Sequence, residues 1–305
     1  MTKIVLTNPM GLSAEQETRL KKLGDVTFYK DMPASPDKWL KRCLGYDIVC
    51  SWIVGLREKY GDLKNVFISV PFVGVSSFAD PTILKANNIT LCNSPGSNRH
   101  AVSEWIVYMI LTTMRQLGSH INTSEKLTIP LSPPSIGLKG KNITILGKGN
   151  VGKRVGAICE AFEMNVSYFT RNDELSTVVK NADIVVDTLS ANPSSKGLLN
   201  QDFFKSVKKG AVFISVTVDS IVDMDAMLAA LDEGKLSYAA HDVMNAKLGD
   251  ATDPLYERLR KHPNVYATPH ISAFTDVTSQ IGNDMMIANI EAWLHGKPIN
   301  VFGRS

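Results

Sequence analysis

The segment ITILGKGNVG (Ile143–Gly152) decides how this chain folds, because an apolar run leads directly into three closely spaced glycines. Its first four residues have the composition of a buried strand, and an amphipathic stretch follows through Phe162. In a strand–turn–helix unit the first glycine allows a tight turn, the second lets the backbone approach a phosphate, and the third lets the helix pack on the strand. The segment therefore predicts a phosphate-binding turn on Gly147, Gly149 and Gly152.

Besides a dinucleotide site, this turn has two other interpretations. Gly147 to Lys153 also fits the first seven positions of a P-loop, but Arg154 stands where that loop needs Ser or Thr for Mg²⁺. The glycines could also serve packing alone. The flanking strand and helix favour the dinucleotide interpretation, which assigns Asn150 and Val151, with the glycines, to a pyrophosphate.

The end of the next predicted strand indicates which dinucleotide binds. An acidic residue usually stands there to accept hydrogen bonds from the adenosine ribose. Here the strand ends in Thr170-Arg171-Asn172, and Asp173 comes one residue later. Thr170 and Asn172 can hydrogen-bond a 2′-phosphate and Arg171 can pair with it, so the sequence favours NADP(H), with NAD(H) as the alternative. Arg171 as a solvated loop residue is the other interpretation.

Short apolar strands alternate with amphipathic stretches along most of the chain, which predicts parallel sheets with helices on both faces. A Pro-rich stretch, Ser119–Lys141, interrupts the alternation and indicates a connection across domains. We therefore expect two α/β domains with a cleft between them. The predicted strands are Ile4–Thr7, Val26–Tyr29, Asp47–Trp52, Val66–Val70, Ile89–Cys92, Ile143–Leu146, Val166–Thr170, Ile184–Thr188, Val212–Val216, Tyr238–Val243 and Val265–Thr268.

Composition narrows the class of protein. The chain has 305 residues, 44% of them hydrophobic, and a net charge of +3 from scattered basic residues, so neither nucleic acid nor an acidic membrane surface is an expected partner. No apolar window approaches the length of a membrane span. Four cysteines lie in apolar settings without metal-ligand spacing, which predicts buried free thiols and a reducing, cytoplasmic location.

Four segments together resemble the D-isomer-specific 2-hydroxyacid dehydrogenase family, over nearly the full chain. They are NSPGSNRHAVSEW (Asn93–Trp105), the glycine turn, the run from Gly210 to Leu231, and HDV (His241–Val243) with PNVYATPHIS ending at Ser272. The resemblance implies a coenzyme domain, 99–275, inserted into a discontinuous substrate domain, 1–98 plus 276–305. It also implies a homodimer. The strand tip at Thr170 and Trp52 are most similar to the NADPH-using glyoxylate/hydroxypyruvate reductase branch.

The family's three catalytic positions are only partly kept. His270 matches the acid/base, and an imidazole can protonate a carbonyl oxygen as hydride arrives. Val218 stands where the family has an Arg that clamps the substrate carboxylate, which a valine cannot do. Counting from Asp242, Lys247 stands where the family has a Glu, although a remodelled loop would change that register.

Other positions are assigned through the same resemblance. Asp242 matches a residue that hydrogen-bonds the nicotinamide carboxamide, and Thr188 and Thr217 are further cofactor candidates. Candidate substrate residues are Trp52, Val73, Gly74, Asn98 and Arg99; Arg99 could supply the charge that Val218 lacks, or be an ordinary solvated residue.

Two functions follow from this pattern. The first is an NAD(P)-dependent oxidoreductase that transfers hydride between nicotinamide and a small hydroxy or keto compound, with an atypical substrate because of Val218 and Lys247. The alternative is a dinucleotide-binding sensor or scaffold with impaired catalysis. Neither the substrate nor the direction of reaction follows from the sequence.

Overall fold

The computed structural model describes residues 1–116, 135–243 and 249–303. The chain divides into two compact units, Met1–Asn98 with Phe274–Ser305, and Arg99–Ala273. The chain returns to the first unit at Phe274, two residues before the expected boundary at residue 276. Thr275 caps the last helix, Asp276–Leu294, and lies with it in the first unit. Most of the Pro-rich stretch expected to connect the domains lies outside the described residues.

The first unit is a five-stranded parallel sheet with helices. Its strands pair in the order β2-β1-β3-β4-β5. The strands are β1 (Lys3–Leu6), β2 (Asp25–Phe28), β3 (Ile48–Cys50), β4 (Val66–Ser69) and β5 (Ile89–Cys92), and the helices are α1 (Ala14–Lys21), α2 (Pro36–Cys43), α3 (Leu56–Lys59), α4 (Pro81–Ala86) and, from the end of the chain, α11 (Asp276–Leu294).

The second unit is a six-stranded parallel sheet in the order β11-β10-β9-β8-β6-β7. Its strands are β6 (Asn142–Leu146), β7 (Asn165–Phe169), β8 (Ile184–Asp187), β9 (Ala211–Ser215), β10 (Leu236–Asp242) and β11 (Val265–Thr268). Its helices are α5 (Arg99–Met114), α6 (Asn150–Ala161), α7 (Leu175–Val179), α8 (Gln201–Ser206), α9 (Met224–Asp232) and α10 (Pro254–Leu259).

Both faces of the second sheet are buried, which explains why its strands are apolar without alternation. In β8 and β9, Val185 and Phe213 point into one apolar cluster, while Val186 and Ile214 point into the other. Two parallel-sheet α/β domains were predicted from this pattern, and that fold class is confirmed.

Local signals in the sequence account for the helix ends. Ser13 accepts a hydrogen bond from the backbone N–H of Gln16, whose side chain in turn accepts from the backbone N–H of Ser13, so α1 begins with a capping box. Asp223 and Asp253 cap α9 and α10 in the same unit that holds the glycine turn. The four cysteines are buried free thiols, as predicted. In the described part of the chain, no helix has the length and apolar character needed to cross a membrane.

Candidate active site

The glycine turn joins β6 to α6 with the geometry that its spacing predicts. Gly147 has a φ of +100°, a conformation that favours glycine. A Cβ on Gly152 would lie 2.1 Å from the carbonyl oxygen of Gly147, so the helix can approach the strand only without a side chain there. A Cβ on Gly149 would meet no atom within 4 Å, which leaves open space beside the backbone.

The first N–H groups of α6 are available to a ligand. Gly149 is the N-cap and, among the described residues, no side chain caps the helix. Unsatisfied N–H groups and the positive end of a helix form an anion site. The turn, the open side of Gly149 and the uncapped helix therefore fit a dinucleotide pyrophosphate, and Asn150 and Val151 lie in the first turn of that helix.

Thr188 holds the glycine turn from the neighbouring strand. Its hydroxyl lies 3.0 Å from the carbonyl oxygen of Leu146 and 3.2 Å from that of Gly147. The Thr188 side chain, expected to contact the cofactor, thus donates its proton to the protein. These contacts position the turn, and a contact of Thr188 with the cofactor stays a prediction.

The tip of β7 contains an acidic group, although the predicted strand end has none. The Asp173 carboxylate accepts hydrogen bonds of 2.7 Å from both the backbone N–H and the hydroxyl of Thr170. These bonds lower the pKa of Asp173 below its usual value. The Thr170 hydroxyl is therefore already used, while Arg171 and Asn172 are exposed at the tip.

Lys148, inside the glycine turn, adds a positive charge near that tip. Its ammonium lies 4.7 Å from the centre of the Tyr168 ring, a cation–π distance. Lys148 could not be predicted as a site residue from the sequence, because the residues between the glycines of such a motif vary in type.

His270 lies in a loop that Asp242 holds. The Asp242 carboxylate is fully buried and accepts from the Thr268 hydroxyl at 2.5 Å and from the N–H groups of Ile271 and Ser272 at 2.9 Å. His270 has a φ of +55°, which is unfavourable for a non-glycine residue. Backbone held in such a conformation is a feature of functional sites, and it needs a rigid surrounding. Asp242 supplies that rigidity; its expected bond to a nicotinamide carboxamide stays a prediction.

A buried polar row crosses the same sheet at its carboxyl edge. Strand register pairs Asp187 with Ser215, and Ser215 with His241. The Asp187 carboxylate accepts from the hydroxyls of Ser215, at 3.1 Å, and of Thr217. Thr217, expected to face the cofactor, is buried and directs its hydroxyl to Asp187. A contact of Thr217 with the cofactor stays a prediction.

His241 ends this row without a hydrogen bond. It is fully buried, and neither ring nitrogen has a partner in the described part of the chain. Burial lowers the pKa of His241 to about 4, because the imidazolium would lose its hydration; neighbouring Asp242 opposes this shift. Burial raises the pKa of Asp187 to about 6, against the lowering effect of its hydrogen bonds.

These two shifts predict opposite effects of acid on stability. Between pH 6.5 and 4, His241 is protonated in the unfolded chain but stays neutral in the folded chain. His241 therefore lowers the free energy of unfolding as pH falls, by up to about 3 kcal/mol. Between pH 4 and 6 the folded chain keeps a proton on Asp187 that the unfolded chain releases, so Asp187 raises stability as pH falls.

We therefore expect His241→Leu to resist acid better than the wild type. The free energy of unfolding of the variant, relative to wild type, should grow by about 2 kcal/mol between pH 7.5 and 4.5, measured by urea denaturation at each pH. His295→Gln, at an exposed position, is the control and should follow the wild type. If the free energy of unfolding changed with pH by the same amount in His241→Leu and in wild type, the prediction would be wrong.

Val218 lies just after this row and packs against the apolar cluster that contains Ile221 and Val222. The backbone N–H of Ile221 donates to its carbonyl oxygen at 2.9 Å. An aliphatic side chain held in this way provides neither charge nor hydrogen bond to a substrate. Lys247, predicted to stand where the family has a Glu, lies outside the described residues.

The candidate substrate residues of the first unit lie at the carboxyl edge of its sheet. Trp52 follows β3 and stacks on Phe72, with ring centres 5.9 Å apart and planes at 8°. Val73 and Gly74 follow β4, and Gly74 is exposed with open space around it. Asn98 comes after β5. Because β3, β4 and β5 are parallel neighbours, their following loops meet at one edge.

Arg99, the candidate for the missing positive charge, lies at the start of α5, and its role toward a substrate stays a prediction. It is exposed, and its Nε lies 3.2 Å from Nε2 of His100. Within the residues that the structure describes, no group of three or more His, Cys, Asp or Glu side chains is arranged to hold a metal ion.

Comparisons with known proteins agree with this architecture. A D-3-phosphoglycerate dehydrogenase of Haemophilus influenzae is 28% identical over 241 residues, which are 73% of this chain and 59% of that protein. A glycerate dehydrogenase of Methylorubrum extorquens is 25% identical over 291 residues, 90% of this chain and 91% of the relative.

Solved structures share the fold. An acyclic imino acid reductase in complex with NADPH and D-Arg has a TM-score of 0.83 at 21% identity, covering 99% of this chain and 100% of the other. A D-isomer-specific 2-hydroxyacid dehydrogenase of Lactobacillus delbrueckii, with NAD, has a TM-score of 0.78 at 21% identity and the same coverage. The family model for the D-isomer specific 2-hydroxyacid dehydrogenase, NAD binding domain, matches residues 107–272. Since that match spans more than half of the chain, the protein belongs to the D-isomer-specific 2-hydroxyacid dehydrogenase family.

Proposed function

We propose that this protein transfers hydride between NADP(H) and a small hydroxy or keto compound, with His270 as the acid/base. The observation that carries the proposal is the His270 loop, where a left-handed residue is held by three hydrogen bonds to buried Asp242. Such a loop costs stability and is expected where a side chain must keep one direction. Family membership supports the same chemistry.

In the proposed function, different residues of the second unit bind the cofactor and transfer the proton. The N–H groups at the start of α6 bind the pyrophosphate, with Thr188 fixing the turn. The nicotinamide, when bound, supplies or accepts the hydride. His270 gives a proton to the forming alkoxide oxygen during reduction and takes it back during oxidation.

We propose an atypical substrate because Val218 stands at the position where the family has an Arg. An Arg there would bind a carboxylate through two hydrogen bonds and polarise the adjacent carbonyl. Val218 packs on the core instead. The substrate is therefore expected to lack a carboxylate at that place, or to have it bound elsewhere, for which the exposed backbone at Gly74 is the candidate.

Turnover tests this function. Purified protein is assayed for oxidation of NADPH and NADH against 2-keto acids and aldehydes of increasing size. We expect turnover with NADPH, and a preference for compounds that do not need an Arg clamp. Val218→Arg should raise kcat/KM for simple 2-keto acids such as glyoxylate relative to wild type, since it restores the clamp.

The second candidate is a dinucleotide-binding protein without catalysis, which the altered Val218 position favours. It predicts NADPH binding with no turnover across the panel, for wild type and for Val218→Arg. In either function we propose a homodimer in the cytoplasm, with a small molecule as the partner and no nucleic acid or membrane. Size-exclusion chromatography with light scattering tests the dimer.

Arg171 is expected to set the preference for NADP(H) over NAD(H). It is exposed beside Asn172 at the tip of β7, where a 2′-phosphate would lie, and Lys148 adds charge nearby. Arg171→Asp should weaken NADPH binding by about tenfold or more and leave NADH binding unchanged or stronger, because it replaces an attractive charge by a repulsive one. Fluorescence titration with both cofactors measures the ratio.

Arg260→Asp is the control for the change of charge. Arg260 lies in the same unit and pairs with Glu257 at 2.7 Å, at the end of α10. It should leave both affinities within twofold. An unchanged NADPH/NADH ratio in Arg171→Asp would show that NADP(H) preference was assigned to the wrong residue; Asp173, which holds Thr170, would then argue for NAD(H).

A further inference from the structure

Asp187 is a buried carboxylate whose hydrogen-bond donors, among the described residues, are all uncharged. It is fully buried at the end of β8, and its partners are the hydroxyls of Thr217 and Ser215 and the N–H of Leu189, at 3.1 Å. All three donors are neutral. Removing an ion from water without a counter-charge is unfavourable, and the raised pKa of Asp187, about 6, records that cost. A neutral side chain of the same shape would keep most of these contacts, so the charge itself needs an explanation.

The position of Asp187 in the sheet supplies one. Asp187 precedes Thr188, which holds the glycine turn, and binds Thr217 after β9. The phosphate turn follows β6, and the adenosine tip belongs to β7 at the edge of the sheet. A dinucleotide in such a fold spreads its two halves to either side of the switch point. Because β7 lies on one side of β6, the nicotinamide half must lie toward β8 and β9, at the edge that Asp187 occupies.

We propose that the Asp187 carboxylate sets the preference of the site between the two redox forms of its cofactor, favouring the oxidised form. The oxidised nicotinamide ring carries a positive charge and the reduced ring is neutral. The negative charge of Asp187 attracts only the oxidised ring. Because Asp187 is buried, water screens this attraction weakly. This inference rests on the dinucleotide site and is independent of the substrate chemistry proposed above.

Binding of the two redox forms, without turnover, tests the proposal. Dissociation constants for NADP⁺ and NADPH are measured by calorimetry at pH 8 for wild type, Asp187→Asn and Asp187→Thr. We expect Kd for NADP⁺ to rise about tenfold in both variants, while Kd for NADPH changes less than threefold. Both variants are expected to fold, since they remove a buried charge that opposes folding above pH 6; thermal unfolding verifies this.

Two controls separate charge from hydrogen bonding and from net charge. Ser215→Ala removes one donor to Asp187 and keeps the carboxylate, so the ratio of the two constants should stay within twofold of wild type. Asp202→Asn removes an exposed carboxylate of the same unit and should also leave the ratio unchanged.

A wild-type ratio in both neutral Asp187 variants would overturn the proposal. So would an equal loss of affinity for NADP⁺ and NADPH, which would make Asp187 a purely architectural residue. A shifted ratio in a protein that turns over no substrate would support this inference while the proposed catalytic function fails, so the two failures are distinguishable.

Discussion

His270→Gln is expected to lower kcat by about a hundredfold to ten-thousandfold, and to leave the Kd for NADPH within about threefold. Glutamine keeps a polar side chain of similar length but cannot transfer a proton at neutral pH. The side chain of residue 270 is not part of the fold's core: it is half-buried, and its loop is held through the neighbouring N–H groups of Ile271 and Ser272. The variant should therefore fold and bind cofactor normally.

A second variant guards against a backbone effect at this left-handed position. Asparagine adopts a positive φ more easily than glutamine, so His270→Asn should show the same loss of kcat with equal or higher stability. His295→Gln, an exposed histidine of the first unit, is the matched control and should keep wild-type turnover. If either His270 variant kept more than a tenth of the wild-type kcat, another group would have to be the acid/base.

The sequence predicted the sheet of the second unit closely, because strands buried on both faces are continuous apolar runs. The predicted strand Ile143–Leu146 differs from β6 by one residue, and Val265–Thr268 coincides with β11. The glycine turn was predictable for a similar reason: its residues are contiguous, and each glycine answers to one local constraint.

The polar row could not be predicted in the same way. Asp187, Ser215 and His241 are far apart in the sequence, and only the register of three strands places them side by side. The Thr217 hydroxyl donates to Asp187, a contact that the sequence does not predict. Which way a short hydroxyl side chain turns depends on such neighbours, and a single sequence does not reveal them.

Short-range geometry also changed the interpretation of the β7 tip. In the sequence, Asp173 follows the strand tip by one residue. A turn, in which the N–H of Asp173 donates to the carbonyl oxygen of Thr170 at 3.1 Å, brings its carboxylate back. We therefore expect Lys148 and Asp173 to contribute, with Arg171, to the choice between NADP(H) and NAD(H).

Alanine substitutions of Gly149 and Gly152 in the glycine turn are both expected to weaken cofactor binding, but to differ in their effect on stability. In Gly149→Ala the new methyl group meets no protein atom within 4 Å, and the φ of −81° suits alanine. The fold should be kept, with a loss of stability of about 1 kcal/mol or less for an alanine N-cap. The methyl group fills the space where backbone and phosphate must approach, so Kd for NADPH should rise at least about thirtyfold.

In Gly152→Ala the methyl group would lie 2.1 Å from the carbonyl oxygen of Gly147, a backbone atom that cannot move without opening the turn. We expect both a loss of stability, about 1–3 kcal/mol, and a loss of NADPH binding. Gly210→Ala tests the cost of a positive φ away from the site; its φ is +78°, so it should lower stability and leave Kd unchanged. If Gly149→Ala bound NADPH as wild type does, the glycines would serve packing alone, and the dinucleotide interpretation of this turn would be wrong.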